Sequence, residues 1–156
     1  MLKFSIIRNC FFYLILAKIS PMQKIEHIGI AVNNLDAAES IYESLLGIKP
    51  YKREYVESES VLTSFISIGP NKIELLASTS EDNAIHKFLQ KKGEGIHHLA
   101  ISVSDIRAEM KRLKENGFRL LSDEPKIGAD NKLVCFIHPK GANGVLVELC
   151  QEIDEE

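Results

Sequence analysis

Residues 25–32 read IEHIGIAV, and the alternation of that octet decides how the chain is parsed. A strand sends successive side chains to opposite faces, so Ile28, Ile30 and Val32 share one face while His27, Gly29 and Ala31 share the other. The first set is the apolar face of a half-buried strand. The second is unusual, because a core face carries bulk and a solvated face carries charge. A lone imidazole beside Gly and Ala lines a hollow.

The feature returns 71 residues later in IHHLAISV, residues 96–103, where His27 falls on His98, Gly29 on Ala100, Ala31 on Ser102 and Val32 on Val103. Self-similarity at one offset is the mark of a duplicated unit. The segments after the two strands match as well. Asn34 or Asp36 caps a helix with the apolar stripe Leu35, Ala38, Ile41, Tyr42 and Leu45, ending at Gly47. Ser104 or Asp105 opens another with Ile106, Met110 and Leu113, ending at Gly117. Three strands come next in each half: YKREYV, VLTSFISI and KIELLA in the first, FRLL, KLVCFIH and GVLVELC in the second. Gly69-Pro70-Asn71 and Gly141-Ala142-Asn143-Gly144 supply turns. Both halves therefore read βαβββ, an α+β class with eight strands. Module one covers about 25–77 and module two about 96–151. A linker helix at about 82–91, with Ile85, Phe88 and Leu89 on one side, joins them.

Composition fits one domain over 22–156. With 19 basic and 22 acidic residues the formal charge is −3, which gives no electrostatic footprint for nucleic acid. Residues 1–21 differ from the rest: Lys3, Arg8 and Lys18 are their only charges, and CFFYLILA is an apolar run too short to span a bilayer. They read as an extension outside the fold, either a targeting segment or upstream sequence read in frame ahead of Met22. No membrane partner is expected. Cys10, Cys135 and Cys150 form no C-x-x-C pair and are odd in number, so they read as free thiols in a reducing, cytoplasmic setting.

The last strand of each module carries one carboxylate in an apolar run, Glu74 in IELLA and Glu148 in VELC. If the modules are related by an approximate twofold axis, His27 pairs with His98 and Glu74 with Glu148 about it. Two imidazoles and two carboxylates then converge, and a divalent cation removes the penalty of burying the acids. Mixed N and O donors suit Co, Ni, Mn, Zn or Fe(II) alike. Taken singly, each residue has a plainer role: His27 as a hydrogen-bonded strand residue, Glu74 solvated on an edge strand, Glu148 paired with Lys132. His97 falls on the face of Leu99 and Ile101 and is read as a strand residue. The phosphate-loop, dinucleotide, nucleophile-elbow and H-E-x-x-H motifs are all missing from the sequence.

Paired βαβββ modules with His on the first strand and Glu on the last resemble the vicinal oxygen chelate superfamily. HIGIAVNNLDAAESIYESLLG, GIHHLAISV, LLSDEPKIGADNK and HPKGANGVLVELCQ are similar, more closely, to the methylmalonyl-CoA epimerase family. The resemblance implies an open, cup-like eight-stranded mixed sheet. It implies one divalent metal ion, cobalt first with Mn, Ni or Zn as alternatives, held by His27, Glu74, His98 and Glu148. The second ligand is often glutamine in relatives, so Glu74 makes the site more negative. The implied reaction inverts the carbon between the carboxylate and the thioester of a CoA thioester, through an enolate. Some relatives use a further glutamate in the strand before IELL as one of two acid–base residues, where Ser64 stands here. That leaves Glu148 as the carried-over acid–base residue, with Glu59 or a metal-bound water for the second proton. A homodimer is implied as well. Rival readings are a lactoylglutathione lyase (glyoxalase), an Fe(II) ring-cleaving dioxygenase and a non-catalytic small-molecule-binding protein of the same fold.

Overall fold

The octet lies in β1 (Met22–Val32), followed by α1 (Leu35–Leu46), β2 (Lys52–Val56), β3 (Val61–Ile68) and β4 (Asn71–Ser78). After the linker helix α2 (Ala84–Lys92) the pattern repeats as β5 (Gly95–Val103), α3 (Ile106–Glu115), β6 (Lys126–Ile127), β7 (Lys132–Ile137) and β8 (Val147–Glu152). This is a computed structural model that describes residues 22–153, so the expected extension 1–21 lies outside the described residues.

One mixed sheet takes all eight strands in the order β2-β3-β4-β1-β5-β8-β7-β6. Each module contributes a parallel pair, β1 with β4 and β5 with β8, and the modules meet where β1 and β5 run antiparallel. The order is the same read outward from that seam in either direction, which is the expected twofold relation. The curled α+β sheet with three helices is the fold that the repeat implied.

α1 and α3 cover the outer face. Asn34 and Asp105 cap them, each side-chain oxygen accepting the amide N–H three residues on, and Gly47 ends α1 in the left-handed conformation at φ 68°. Leu35, Ala38, Tyr42 and Leu46 of α1 pack on Val32, Ile66 and Leu75, while Ile106, Met110 and Leu113 of α3 pack on Val103, Cys135 and Leu149. The inner face is covered at one end by α2, whose Ile85 sits on Ala31, Val61 and Leu76.

The structure corrects three expectations. Ile41 and Leu45 are 64% and 71% exposed, because the buried stripe of α1 runs through Tyr42 and Leu46, about one residue further round the helix. FRLL makes only a single bridge, Leu120 to Ile137, and the edge strand resumes at β6. Pro125 in the intervening turn lacks the N–H that an unbroken ladder needs. GVLVELC becomes a strand only at Val147, since the amides of Gly144 and Val145 are used in turns closing on Pro139 and Ala142.

Candidate metal centre

Strand pairing places the expected residues on two adjacent rungs of the inner face. On one rung Gly29 of β1 is flanked by Glu74 of β4 and His98 of β5. On the other Ala100 of β5 is flanked by His27 of β1 and Glu148 of β8. Each rung is acid, small residue, imidazole, and strands stand about 4.8 Å apart. The small residues therefore leave the space that the larger side chains enter. A Cβ built on Gly29 would lie 2.2 Å from His98 Cε1, so the His98 ring occupies the room that glycine provides.

All four side chains are buried; His27, Glu74 and His98 converge, and Glu148 approaches His98 alone. His27 Nε2 is 2.9 Å from His98 Nε2, and Glu74 Oε2 lies 3.2 Å from the first and 3.5 Å from the second. Glu148 Oε2 is 3.4 Å from His98 Nε2. One donor atom each from His27, Glu74 and His98 falls within 4.8 Å of the others. Two imidazole nitrogens and two carboxylates on a buried face match the N and O donor chemistry of a divalent first-row cation.

The charges are strongly coupled. Burial disfavours the His27 imidazolium, but the Glu26 and Glu74 carboxylates outweigh it and push its pKa up to about 10. Burial likewise disfavours ionised Glu74, and the two imidazoles pull it down to about 2. Glu148 moves the other way: burial raises it, and the more distant attraction of His98 and His27 does not compensate. The acids thus differ in proton affinity despite equivalent positions.

A cavity of about 280 Å³ opens over these residues and takes its walls from both modules. Val61, Phe65, Leu76, Phe136 and Leu146 give it an apolar lining. The β6–β7 turn closes one side: Asp130 Oδ1 accepts Lys52 Nζ at 3.1 Å, and its Oδ2 accepts Lys72 Nζ at 2.6 Å.

Ser64 does not reach this cavity. It is fully buried between Thr63 and Phe65, which line the cavity, and alternation turns it to the other face of β3. Glu59, in the turn Glu57–Glu59 before β3, does line it. Lys132 pairs with Glu152 and lies 3.5 Å from Glu26, so it is not the partner of Glu148. The sequence reading missed Glu26 and Lys72 and sent His97 to the wrong face: Glu26 and His97 line the cavity, and Lys72 Nζ donates to Glu26 at 2.7 Å. The 71-residue offset that aligns His27 with His98 also aligns Glu26 with His97, and that was the signal.

A sequence model of the Glyoxalase/Bleomycin resistance protein/Dioxygenase superfamily matches residues 26–136. The chain belongs to that superfamily. Among its members, the ethylmalonyl-CoA/methylmalonyl-CoA epimerase of Cereibacter sphaeroides is 45% identical over 130 residues, 82% of this chain and 97% of that one. The mitochondrial methylmalonyl-CoA epimerase of Mus musculus is 42% identical over 136 residues, 85% of this chain and 76% of that one. A solved structure of Streptomyces coelicolor methylmalonyl-CoA epimerase in complex with 2-nitronate-propionyl-CoA superposes with a TM-score of 0.82 at 35% identity, covering 85% of this chain and 99% of that one. No helix among the described residues is long and apolar enough to cross a membrane.

Proposed function

We propose that this superfamily member is a metal-dependent methylmalonyl-CoA epimerase, interconverting the 2R and 2S forms through an enolate. The observation that carries the proposal is the buried cluster of His27, Glu74 and His98 with Glu148 3.4 Å from His98, in a chain 45% identical to a protein named for that activity. His27, Glu74, His98 and Glu148 are the proposed ligands. When bound there, a divalent ion supplies Lewis acidity toward the thioester and carboxylate oxygens, offsetting the negative charge that develops as the α-proton leaves.

The chain supplies the proton transfers. Inversion needs one group to remove the α-proton and another to return a proton to the opposite side. Burial raises the proton affinity of the Glu148 carboxyl, the direction that suits an acid–base group. Glu59 enters the same cavity from the other module. We assign Glu148 and Glu59 as the pair, one from each half of the duplication. The apolar walls from Phe65, Leu76 and Phe136 exclude water from the carbanionic carbon.

Cobalt is the proposed resident ion, the cytoplasm the proposed setting and a second copy of the chain the proposed partner. Exposed Ile41 and Leu45, one turn apart on α1, support self-association. Metal-stripped and metal-restored protein assayed against a panel of CoA thioesters and the glutathione hemithioacetal of methylglyoxal tests the reading. Restored turnover of methylmalonyl-CoA is expected. Turnover of the hemithioacetal alone would move the chain to the glyoxalase branch.

A further inference from the structure

The antiparallel seam between β1 and β5 slips three times, once between Met22 and Lys24 near the start of β1 and twice beside the proposed ligands. Ile25 faces Ile101 and His27 faces Ala100, so Glu26 is one extra residue on β1. Gly29 faces His98 and Ile30 faces Ile96, so His97 is one extra residue on β5. These are two β-bulges related by the modules' own symmetry, and each immediately precedes a proposed ligand. A bulge breaks the alternation and re-aims a side chain. Glu26 and His97 accordingly join their neighbours on the cavity side instead of facing away.

Each bulged residue engages the far nitrogen of the adjacent imidazole. The Glu26 carboxylate accepts from His27 Nδ1, and its other oxygen accepts Lys72 Nζ at 2.7 Å, with Lys132 Nζ at 3.5 Å. His97 Nδ1 stands 3.0 Å from His98 Nδ1. The His97 ring is itself fixed edge-on against Phe88, with centroids 5.0 Å apart. An imidazole that presents an Nε2 lone pair must carry its proton on Nδ1, so an acceptor at Nδ1 selects that tautomer and fixes the ring plane. A carboxylate also raises the donor strength of the nitrogen opposite, whereas a neutral imidazole does so less.

We infer that Glu26 and His97 are positioning residues of the metal centre, made available by the paired bulges. Glu26, held by Lys72 and Lys132, orients His27 as the strong nitrogen ligand, and His97 orients His98 as the weaker one. The two-module symmetry is thus broken behind the ligands. This rests on the metal reading of the site.

The test is Co(II) affinity by calorimetric titration of metal-stripped full-length protein, with thermal melting of each metal-free variant alongside. Glu26→Gln keeps the shape and removes the charge; it is expected to weaken binding by about 10- to 100-fold while the melting temperature moves by only a few degrees. His97→Phe removes the acceptor but keeps the ring against Phe88, and is expected to weaken binding by about 10-fold. His97→Asn returns an acceptor and should recover most of that loss. Long-range ¹H–¹⁵N spectra of the Zn(II)-loaded wild type should show His27 and His98 protonated at Nδ1 and metallated at Nε2, a readout that decides the matter even if a variant does not fold. Wild-type affinity in both Glu26→Gln and His97→Phe, or metallation of His98 at Nδ1, overturns the inference and leaves the metal site standing. A wild type that binds neither ion stoichiometrically removes the metal site, and the inference with it.

Discussion

Replacing Gly29 by Ala inserts a single methyl group at the point where the two rungs are tightest. The new Cβ would sit 2.2 Å from Cε1, 2.5 Å from Nδ1 and 2.6 Å from Nε2 of His98. Non-bonded carbons rest at about 3.5 Å, so the imidazole has to retreat by roughly 1 Å or more. Ligand distances tolerate only about 0.2 Å, which puts His98 out of the set. Misorienting a ligand costs about 10- to 100-fold in affinity, and losing one should cost at least the upper end of that range. Stability should respond far less. Alanine restricts the unfolded chain and is worth about 0.5–1 kcal/mol in a strand, against about 1–3 kcal/mol for overpacking, so a net loss of roughly 0–2.5 kcal/mol is expected. Titration of metal-stripped Gly29→Ala with Co(II), beside a thermal melt, reads both quantities. Wild-type affinity would refute the rung geometry, and a melting temperature lowered by more than about 10 °C would show that Gly29 serves the fold rather than the site.

Other expectations are simpler. Glu148→Gln should lower the epimerisation rate by about 10²-fold or more, as measured with saturating metal; unchanged turnover would exclude it from the chemistry. Glu59→Gln should lower the rate while leaving Co(II) affinity as in the wild type, since it lines the cavity but is not among the clustered donor residues; lost metal binding would contradict its assignment. The metal-free protein holds a proton on His27 well above the ordinary value of 6.5, up to about pH 10, and an incoming cation must displace it. Metal affinity should therefore rise by about tenfold per pH unit between 6.5 and 10, checked by titration across buffers. Stability of the metal-free form has the opposite sign: the raised His27 pKa contributes fully below pH 6.5 and is lost toward pH 10, visible as a falling melting temperature. A chain that starts at Met22 should keep the melting temperature and activity of the full chain; a large loss would show that the apolar run packs on the domain.

Much of this architecture was legible because it is written twice. A histidine among small residues is weak evidence alone, but His27 and His98 at one offset, each followed by a capped helix and a strand bearing Glu74 or Glu148, defined both modules and the convergent set. The hollow implied by Gly29 and Ala31 proved to be two different things: Gly29 makes room for His98, and Ala31 receives Ile85 from α2. What alternation could not show was where alternation fails. Glu26 and His97 sit at bulges, which depend on the pairing of β1 with β5 and leave no mark on either strand's own period. The side of β3 that meets the cavity, which leaves Ser64 facing away, is likewise fixed by the register with β4. Ile41 and Leu45 show the same limit on a helix, where a stripe one residue too wide looks like core until its packing partner is known.

The central claim is that the cup holds a cation that makes an α-proton labile, and proton exchange tests it most directly. Metal-stripped protein is incubated in D₂O with a single epimer of methylmalonyl-CoA, with and without restored divalent cation, and deuterium at the α-carbon is followed by mass spectrometry or NMR. The account predicts incorporation together with loss of stereochemical purity only when the cation is present, and suppression of both by EDTA. Incorporation at the same rate in metal-free protein, or none in protein shown to carry one ion per chain, would contradict it.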